Sequence, residues 1–163
     1  MIIKLKNKDK LIVDDFVFKC CIGKNGVSKT KFEGDNKTPY GMFELGDLFY
    51  RKDRVKKFNT YLKKIPISKK FGWCDDVKCK VYNKIINIKN NYHHEKLFRR
   101  DHKYDLFIPI KYNFKKIVPG RGSAIFIHLT KNYKPTAGCI ALNKKDFLIM
   151  LKLINKNTKI LIN

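Results

Sequence analysis

The sequence predicts an α+β domain that is built mostly of β-strands, and two observations carry this prediction. Short runs of β-branched and aromatic residues alternate with turn-forming residues in the first third of the chain and again towards its end. One segment, which follows Asn143, has the spacing of an amphipathic helix. No internal repeat or Pro/Gly/Ser-rich linker divides the 163 residues. We therefore expect a single domain over residues 1–163.

The first third is predicted as strands and turns. Residues 11–13 and 16–22 are rich in β-forming side chains, and the two aspartates between them suit a tight turn. Residues 23–26 include Asn-Gly, which tolerates positive φ and therefore predicts a hairpin. A loop dense in turn-forming residues follows at 34–41 and leads into residues 42–45. Such a long loop is often functional, and a plain surface loop is the alternative.

After an irregular middle segment, two further strands are predicted. Residues 104–112 form one of them, in which Pro109 indicates an edge or a bulge. Residues 123–129 are a short, nearly continuous apolar run, and period two places Phe126 and His128 on one face. We expect His128 near the C-terminal end of a buried strand, where side chains emerge from the core.

A helix is predicted after residue 143. Asn143 and Asp146, three residues apart, resemble a capping box. The apolar side chains that follow share one helical face: Phe147, Leu148, Leu151 and Ile154. Residues 155–158 then turn the chain into a last strand over residues 159–162.

The formal net charge is +23, from 37 basic against 14 acidic residues. Such an excess attracts nucleic acid, anionic lipid or an anionic polymer such as cell wall. Only five of the basic residues are arginine, whose flat guanidinium is favoured in specific phosphate and base contacts. The lysines are spread over the whole length, which favours a solvated surface over a dedicated nucleic-acid interface.

Five cysteines are present, and their odd number and uneven spacing argue against a disulfide framework. The adjacent Cys20 and Cys21 sit in an apolar run and are predicted to be small core residues. A zinc site is the alternative for another pair. Its possible ligands are Cys74, Cys79, His93, His94 and His102. No second ligand pair of the usual spacing supports that site, and we expect no metal.

We expect neither a secretory signal nor a membrane-spanning segment from this sequence. Charged residues interrupt the apolar stretch within the first ten positions, so the h-region and the small-residue cleavage site of a signal peptide are missing. No apolar run approaches the roughly 18–20 residues of a membrane-spanning helix. A cytoplasmic location, a mature form and another export route all fit these observations.

His128 and Cys139 form the strongest chemical pattern in the sequence. Only a thiolate attacks, and an imidazole within reach can remove the thiol proton and return it to the leaving group. The two residues flank one loop, so a hairpin-like return would bring them together. Gly138 leaves room for a substrate carbonyl and for backbone N–H groups that converge as an oxyanion hole, and Thr136 offers a hydroxyl donor. On spacing alone, a structural role for each residue is an open alternative.

Several segments occur in an order that is similar to one family. His128 is followed eleven positions later by Cys139 within Thr-Ala-Gly-Cys, and residues 31–35 and 38–43 read Lys-Phe-Glu-Gly-Asp and Thr-Pro-Tyr-Gly-Met-Phe. They resemble the His…Ser/Thr-x-Gly-Cys signature and the Glu-Gly-Asp…Thr-Pro-x-Gly-x-Phe stretch of the L,D-transpeptidase catalytic domain, the YkuD family. Other segments resemble a compact, mostly bacterial subgroup of it: residues 72–76, 100–101 with 104–105, and 119–124.

The resemblance implies a sandwich-like domain with a mixed sheet and a few helices, and an enzyme of the cell envelope that cross-links peptidoglycan stem peptides. It implies that Cys139 attacks the carbonyl before the terminal D-Ala and holds a thioester until an amine takes the acyl group. It implies His128 as base and acid, the backbone of Gly138 and Cys139 as oxyanion donors, inhibition by carbapenems, and no cofactor. Arg121, by position and charge, is a candidate clamp for a substrate carboxylate.

Two positions depart from the family pattern. Many members carry a second histidine before the Gly-Cys pair and an arginine or asparagine two residues after the cysteine, where this chain has Ala137 and Ala141. Donor recognition can therefore differ, and water is an alternative acceptor, which would make the protein an L,D-carboxypeptidase or amidase. A non-enzymatic basic module that binds nucleic acid or anionic wall polymer is the alternative of another class. We expect peptidoglycan rather than nucleic acid as the partner, and the oligomeric state is left open.

Overall fold

The computed structural model describes residues 1–163, apart from the side chain of Asn90. The strands are β1 Ile2–Lys6, β2 Lys10–Val13, β3 Phe16–Lys19, β4 Val27–Ser28, β5 Thr38–Pro39, β6 Gly41–Glu44, β7 Leu48–Tyr50, β8 Lys64–Pro66, β9 Phe71–Cys74, β10 Ile85–Asn87, β11 His94–Lys96, β12 Leu106–Pro109, β13 Phe126–Leu129, β14 Ile140–Leu142 and β15 Lys159–Ile162. The helix α1 spans Lys144–Leu153, and a 3-10 helix spans Ile88–Asn90. The predicted class, α+β and mostly β, is confirmed.

The first five-stranded sheet joins the two ends of the chain in the order β3-β2-β1-β15-β6. Along β1, Ile3 and Leu5 are buried whereas the residues between and beside them are exposed. This alternation with period two turns one face of the sheet towards the core. The predicted strand pair β2–β3 and its two-aspartate turn are confirmed, with Asp14 in the turn at φ 50°.

The second five-stranded sheet has the order β14-β13-β12-β7-β8 and mixes parallel and antiparallel pairs. Because β12 is the middle strand, the prediction that Pro109 marks an edge strand is wrong. Pro109 is the last residue of β12, and its carbonyl accepts a hydrogen bond of 2.8 Å from Gly46 N–H. Gly46 precedes β7, so the missing proline N–H falls beyond the end of that ladder.

The Asn-Gly segment forms a turn but not a hairpin. Gly26 has φ +77° and its N–H donates to the Gly23 carbonyl at 2.9 Å. The chain before the turn pairs elsewhere, since Cys21 bridges Ala141 and Gly23 bridges Thr136. The strand after the turn, β4, runs parallel to β5. The predicted hairpin is therefore wrong, because the segments before and after the turn pair with other parts of the chain and not with each other.

Two hydrophobic cores lie on the two faces of the second sheet. The larger one joins both five-stranded sheets and the buried side of α1, which gives the sandwich-like arrangement. Ile108 and Ile127 point into it, whereas their neighbours Phe107 and Phe126 point into an aromatic core that also holds Trp73 of β9. The sheet that carries His128 is thus buried on both faces. No helix in the described part of the chain has the length and apolarity that a membrane crossing requires.

The first turn of α1 depends on its N-cap. Asn143 Oδ1 accepts a hydrogen bond of 2.9 Å from Asp146 N–H, as the predicted capping box requires. We expect Asn143→Ala to lower the free energy of unfolding by about 1 kcal/mol, because that N–H loses its acceptor. Urea denaturation measures the change, and Asn143→Ser, which keeps an acceptor, is the control. Equal stability of the alanine variant and the wild type would contradict this role.

Candidate active site

One cavity of about 530 Å³ contains both candidate residues, Cys139 and His128. The parallel pairing of β13 with β14 sets His128 opposite Ala141 and Ile127 opposite Ile140. Opposed residues of paired strands share a face, so Cys139, just before β14, lies beside Phe126 on the face that carries His128. The predicted hairpin-like return is wrong, because the two strands run in the same direction. The convergence that it was meant to explain is nevertheless present.

The Cys139 thiol is held by the backbone next to β13. Its Sγ donates to the Ala124 carbonyl at 3.2 Å and accepts from Phe126 N–H at 3.3 Å. Burial raises the pKa of Cys139 to about 12, and the Phe126 N–H opposes this shift only in part. The resting side chain is therefore a neutral thiol whose proton is donated to the Ala124 carbonyl.

Ala124 adopts a backbone conformation that the sequence does not signal. Its φ is +51°, so the strand predicted over residues 123–129 begins only at Phe126. A left-handed residue with a Cβ costs about 1–2 kcal/mol. Asn83 offsets this cost, because its Oδ1 accepts from Ala124 N–H at 3.1 Å and from Trp73 Nε1 at 2.9 Å. The strained residue brings its carbonyl to the thiol.

His128 is buried, and its ring is fixed in one tautomer. Nδ1 lies 3.0 Å from the Leu129 carbonyl, which can only accept, so Nδ1 carries the proton and Nε2 is left as the base. The Tyr104 ring packs edge to face against the imidazole, with centroids 5.4 Å apart. Burial lowers the pKa of His128 to about 4. In the part of the chain described, no hydrogen bond joins the imidazole to the Cys139 thiol, so the resting pair is neutral.

The buried imidazole should make stability depend on pH. Because the pKa of His128 is about 4 in the folded state and near 6.5 in the unfolded state, the unfolded chain binds more protons between these values. We expect the free energy of unfolding to fall by about 2 kcal/mol between pH 7 and pH 5 from this residue alone. Urea titrations of the wild type and His128→Gln at both pH values isolate the contribution of His128. Equal pH dependence in the two proteins would contradict the buried neutral imidazole.

Thr136 organises the turn that delivers Cys139. Its Oγ1 donates to the Cys139 carbonyl at 2.6 Å and accepts from Gly138 N–H at 3.1 Å. The hydroxyl proton and the Gly138 N–H are therefore both engaged within the turn. The Cys139 N–H makes no hydrogen bond to any described residue, which leaves it as the available oxyanion donor. Gly138 has φ +139°, and a Cβ there would lie 2.7 Å from the Lys37 carbonyl.

Removing the Thr136 hydroxyl should loosen this turn. We expect Thr136→Val to lower the free energy of unfolding by about 1–2 kcal/mol, since two buried hydrogen-bonding groups lose their partner. We also expect acylation of Cys139 to slow by about tenfold, because the thiol and its N–H are less well placed. Thr136→Ser keeps both bonds and is the control. The acylation rates of the valine and serine variants are measured by intact-protein mass against time. A valine variant that is acylated as fast as the serine variant would contradict this role.

Comparison with known families identifies the family of this domain. The family model of the L,D-transpeptidase catalytic domain, YkuD, matches residues 3–162. The chain belongs to the YkuD family. YkuD domains are catalytic domains of cell-wall metabolism that act on peptidoglycan peptides.

A solved structure agrees with this YkuD assignment at the level of the fold. The helical cell shape determining protein Pgp2 from Campylobacter jejuni is 19% identical, with a TM-score of 0.53. The alignment covers 98% of this chain and 46% of Pgp2, so the chain spans about half the length of that protein. No curated protein sequence matches the chain.

The YkuD cavity is also lined by charged and aromatic residues that the sequence patterns do not place at the site. They come from the segment before β12 and the loop after β13: Glu95, Arg99, Lys103, Tyr104 and Lys134. Of these five residues, only Tyr104 lies in a segment whose sequence resembles the compact subgroup of the family. Arg121 is exposed and does not line the cavity, whereas Arg99 does and is held by Asp101 at 2.6 Å. The clamp role of Arg121 stays a prediction.

The Glu-Gly-Asp segment of the YkuD pattern lies next to the turn at Gly138 and supports it. The Asp35 carboxylate accepts from Lys31 Nζ at 2.6 Å and from Lys37 N–H at 2.8 Å. Burial opposes its ionisation, yet the hydrogen bonds from Lys31 and the backbone outweigh burial and lower the pKa of Asp35. The Lys31 side chain packs against Gly122 and extends to Gly138, where a Cβ would lie 3.5 Å from Lys31 Nζ. The buried ion pair of Lys31 and Asp35 thus stabilises the turn that precedes Cys139.

Among the remaining cysteines and histidines of the described residues, only His102 lines the cavity of Cys139. Cys20 and Cys21 are buried, as predicted, and Cys20 belongs to the larger core. Cys74 and Cys79 pack together in a small cluster, whereas His93 bonds to the Asp75 carboxylate at 2.6 Å. Within the described residues, no three metal-ligating side chains converge.

Proposed function

We propose that this domain is a cysteine-dependent peptidoglycan L,D-transpeptidase in which Cys139 is the nucleophile and His128 the general base and acid. One observation carries the proposal: both side chains line one cavity, and the Leu129 carbonyl fixes the imidazole with Nε2 as the free base. A nucleophile beside an oriented base is the arrangement that acyl transfer needs. Family membership supplies the substrate class, a peptidoglycan stem peptide.

Acylation begins from the neutral thiol. When the side chain of Cys139 turns from the Ala124 carbonyl towards His128, the thiol proton passes to Nε2 as sulfur bonds to the carbonyl carbon before the terminal D-Ala. The Cys139 N–H can donate to the oxyanion that develops. Collapse of this intermediate breaks the C–N bond, and the amine of D-Ala leaves with the proton from Nε2. The product is a thioester on Cys139, and His128 is neutral again.

Deacylation repeats the same proton movements with a second nucleophile. An amine of a neighbouring stem attacks the thioester, gives its proton to His128 Nε2 and forms the cross-link. The sulfur leaves as a thiolate that takes the proton back. This reaction needs a substrate of the cell envelope, where YkuD domains typically act. A carbapenem is expected to acylate the same thiol through its β-lactam carbonyl, and Arg121 is proposed to bind a carboxylate at a distance from the reacting atoms.

Hydrolysis is the second candidate, and the two alanines of this cavity favour it. Ala137 and Ala141 both line the cavity beside Cys139, and each presents only a methyl group where many family members carry a larger polar side chain. The space left can hold a water molecule near the thioester. Water as the acceptor would give an L,D-carboxypeptidase with the same acylation step.

Incubation with a tetrapeptide-stem muropeptide tests the proposal. We expect cross-linked dimer and released D-Ala, resolved by liquid chromatography with mass detection. Tripeptide stems with D-Ala and no dimer would assign the hydrolytic outcome instead. Both enzyme hypotheses are wrong if the folded wild-type protein releases no D-Ala, or if Cys139→Ala releases as much D-Ala as the wild type.

A further inference from the structure

A second cavity, of about 710 Å³, shares no lining residue with the cavity of Cys139. Its wall is aromatic: the rings of Trp73 and Phe114 lie 5.9 Å apart between centroids. Trp73 is the single tryptophan of the chain, and its ring also packs edge to face against Phe126 at 5.0 Å. Since Phe126 N–H contacts the Cys139 thiol, one aromatic layer connects the two cavities.

Tyr61 stands at this cavity with its ring in solvent. It is 76% exposed, more than any other large hydrophobic side chain in the described part of the chain. The next residue, Leu62, is buried, so the segment that carries Tyr61 is anchored. An aromatic ring that the fold leaves in water offers a flat apolar face and a hydroxyl to a ligand.

Some charged groups of the cavity are unpaired, although Lys111 donates to the Glu44 carboxylate at 3.2 Å. Asp47 is half-buried, and no hydrogen bond or ion pair to its carboxylate is found among the described residues. The ammonium groups of Lys63 and Lys156 likewise form no ion pair with any described residue. The cavity therefore combines aromatic surface with a free acceptor and free donors, which is the composition of a ligand site.

We propose that this cavity binds the glycan strand of the polymer, a claim that rests on the proposed function because stem peptides are attached to that strand. A purely apolar ligand would bury the Asp47 carboxylate without a partner, which is costly. A polyanion would be attracted by the lysines of the cavity but would place like charge against the half-buried Asp47 carboxylate, which has no counter-ion among the described residues. An N-acetylated sugar ring has an apolar face for Tyr61, hydroxyls that donate to Asp47 and oxygens that accept from Lys63.

Fluorescence of Trp73 reports on this cavity directly. We expect titration with the tetramer of N-acetylglucosamine to change the emission of the wild type in a saturable manner. Tyr61→Ala should weaken this binding at least tenfold, and Asp47→Asn should weaken it less, since an amide oxygen still accepts. Tyr92→Ala, which removes another exposed aromatic ring outside this cavity, is the matched control and should bind as the wild type. Circular dichroism verifies that each variant is folded.

The same titration on Cys139→Ala separates this inference from the proposed function. That variant should bind the tetramer as the wild type does. No saturable change up to about 10 mM, or a Tyr61→Ala variant that binds as tightly as the wild type, would overturn the glycan site while leaving acylation untouched. Intact glycan binding in a wild-type protein that cannot be acylated would instead overturn the proposed enzyme and keep the site.

Discussion

Replacing His128 by glutamine is expected to slow acylation of Cys139 about a thousandfold at pH 7. Burial raises the pKa of the thiol to about 12, so the thiolate is a minute fraction at neutral pH and attack depends on a base that takes the proton in the same step. Glutamine fills a similar volume and has no basic nitrogen. The rate is measured from the loss of carbapenem absorbance on mixing with the protein.

The pH profile distinguishes a base from a merely structural residue. With His128 present, the rate should be nearly flat above the pKa of the imidazole, about 4, and should fall below it as Nε2 becomes protonated. In His128→Gln the rate should climb about tenfold per pH unit, because only the thiolate is left to react. His93→Gln is the control, since its ring is exposed and lies outside the cavity. Parallel profiles for wild type and His128→Gln would contradict the role as base.

Replacing Lys31 by methionine is expected to lower the free energy of unfolding by about 3–5 kcal/mol. The Lys31 and Asp35 side chains are 3% and 1% exposed, so the substitution leaves a buried carboxylate without its counter-ion. Backbone N–H groups of Phe32 and Lys37 still donate to Asp35 but do not neutralise its charge. Urea denaturation measures the loss, with Lys29→Met, at an exposed lysine nearby, as the control.

The double variant Lys31→Met, Asp35→Asn should recover about half of that loss, because the amide keeps an acceptor and carries no charge. The pH dependence of stability should also weaken in the single variant. In the wild type, the depressed pKa of Asp35 contributes stability above pH 4 that is lost as the pH falls. In Lys31→Met the strongest of the hydrogen bonds to Asp35 is gone, so stability should fall less with falling pH than in the wild type. A single variant as stable as the control would show that the ion pair contributes little.

The sequence predicts those parts of the fold that are encoded locally. The β2–β3 pair, the N-cap at Asn143 and the position of His128 near the end of a buried strand all follow from alternation, turn residues or capping within a few positions. The candidate pair, Cys139 and His128, follows from residue types and family similarity. These features depend on neighbours in the chain and not on distant contacts.

What the sequence does not predict depends on pairing between distant segments. The strands β9, β10 and β11 have three or four residues each, which is too short for a period to be read. Parallel pairing of β13 with β14 is decided by the core on both faces of the sheet rather than by the loop between them. The left-handed Ala124 is held by Asn83, 41 positions away, so no local signal reveals it. The same long-range packing brings Glu95 and Arg99 to the cavity.

The central claim is that Cys139 forms the covalent bond to the substrate, and intact-protein mass after carbapenem treatment tests it most directly. The wild type is expected to gain the mass of one carbapenem, located on Cys139 by peptide mapping, and Cys74→Ala should gain the same mass. Cys139→Ala, verified as folded by circular dichroism, is expected to keep its unmodified mass. A carbapenem adduct on the Cys139→Ala variant, or none on the folded wild type, would contradict the account.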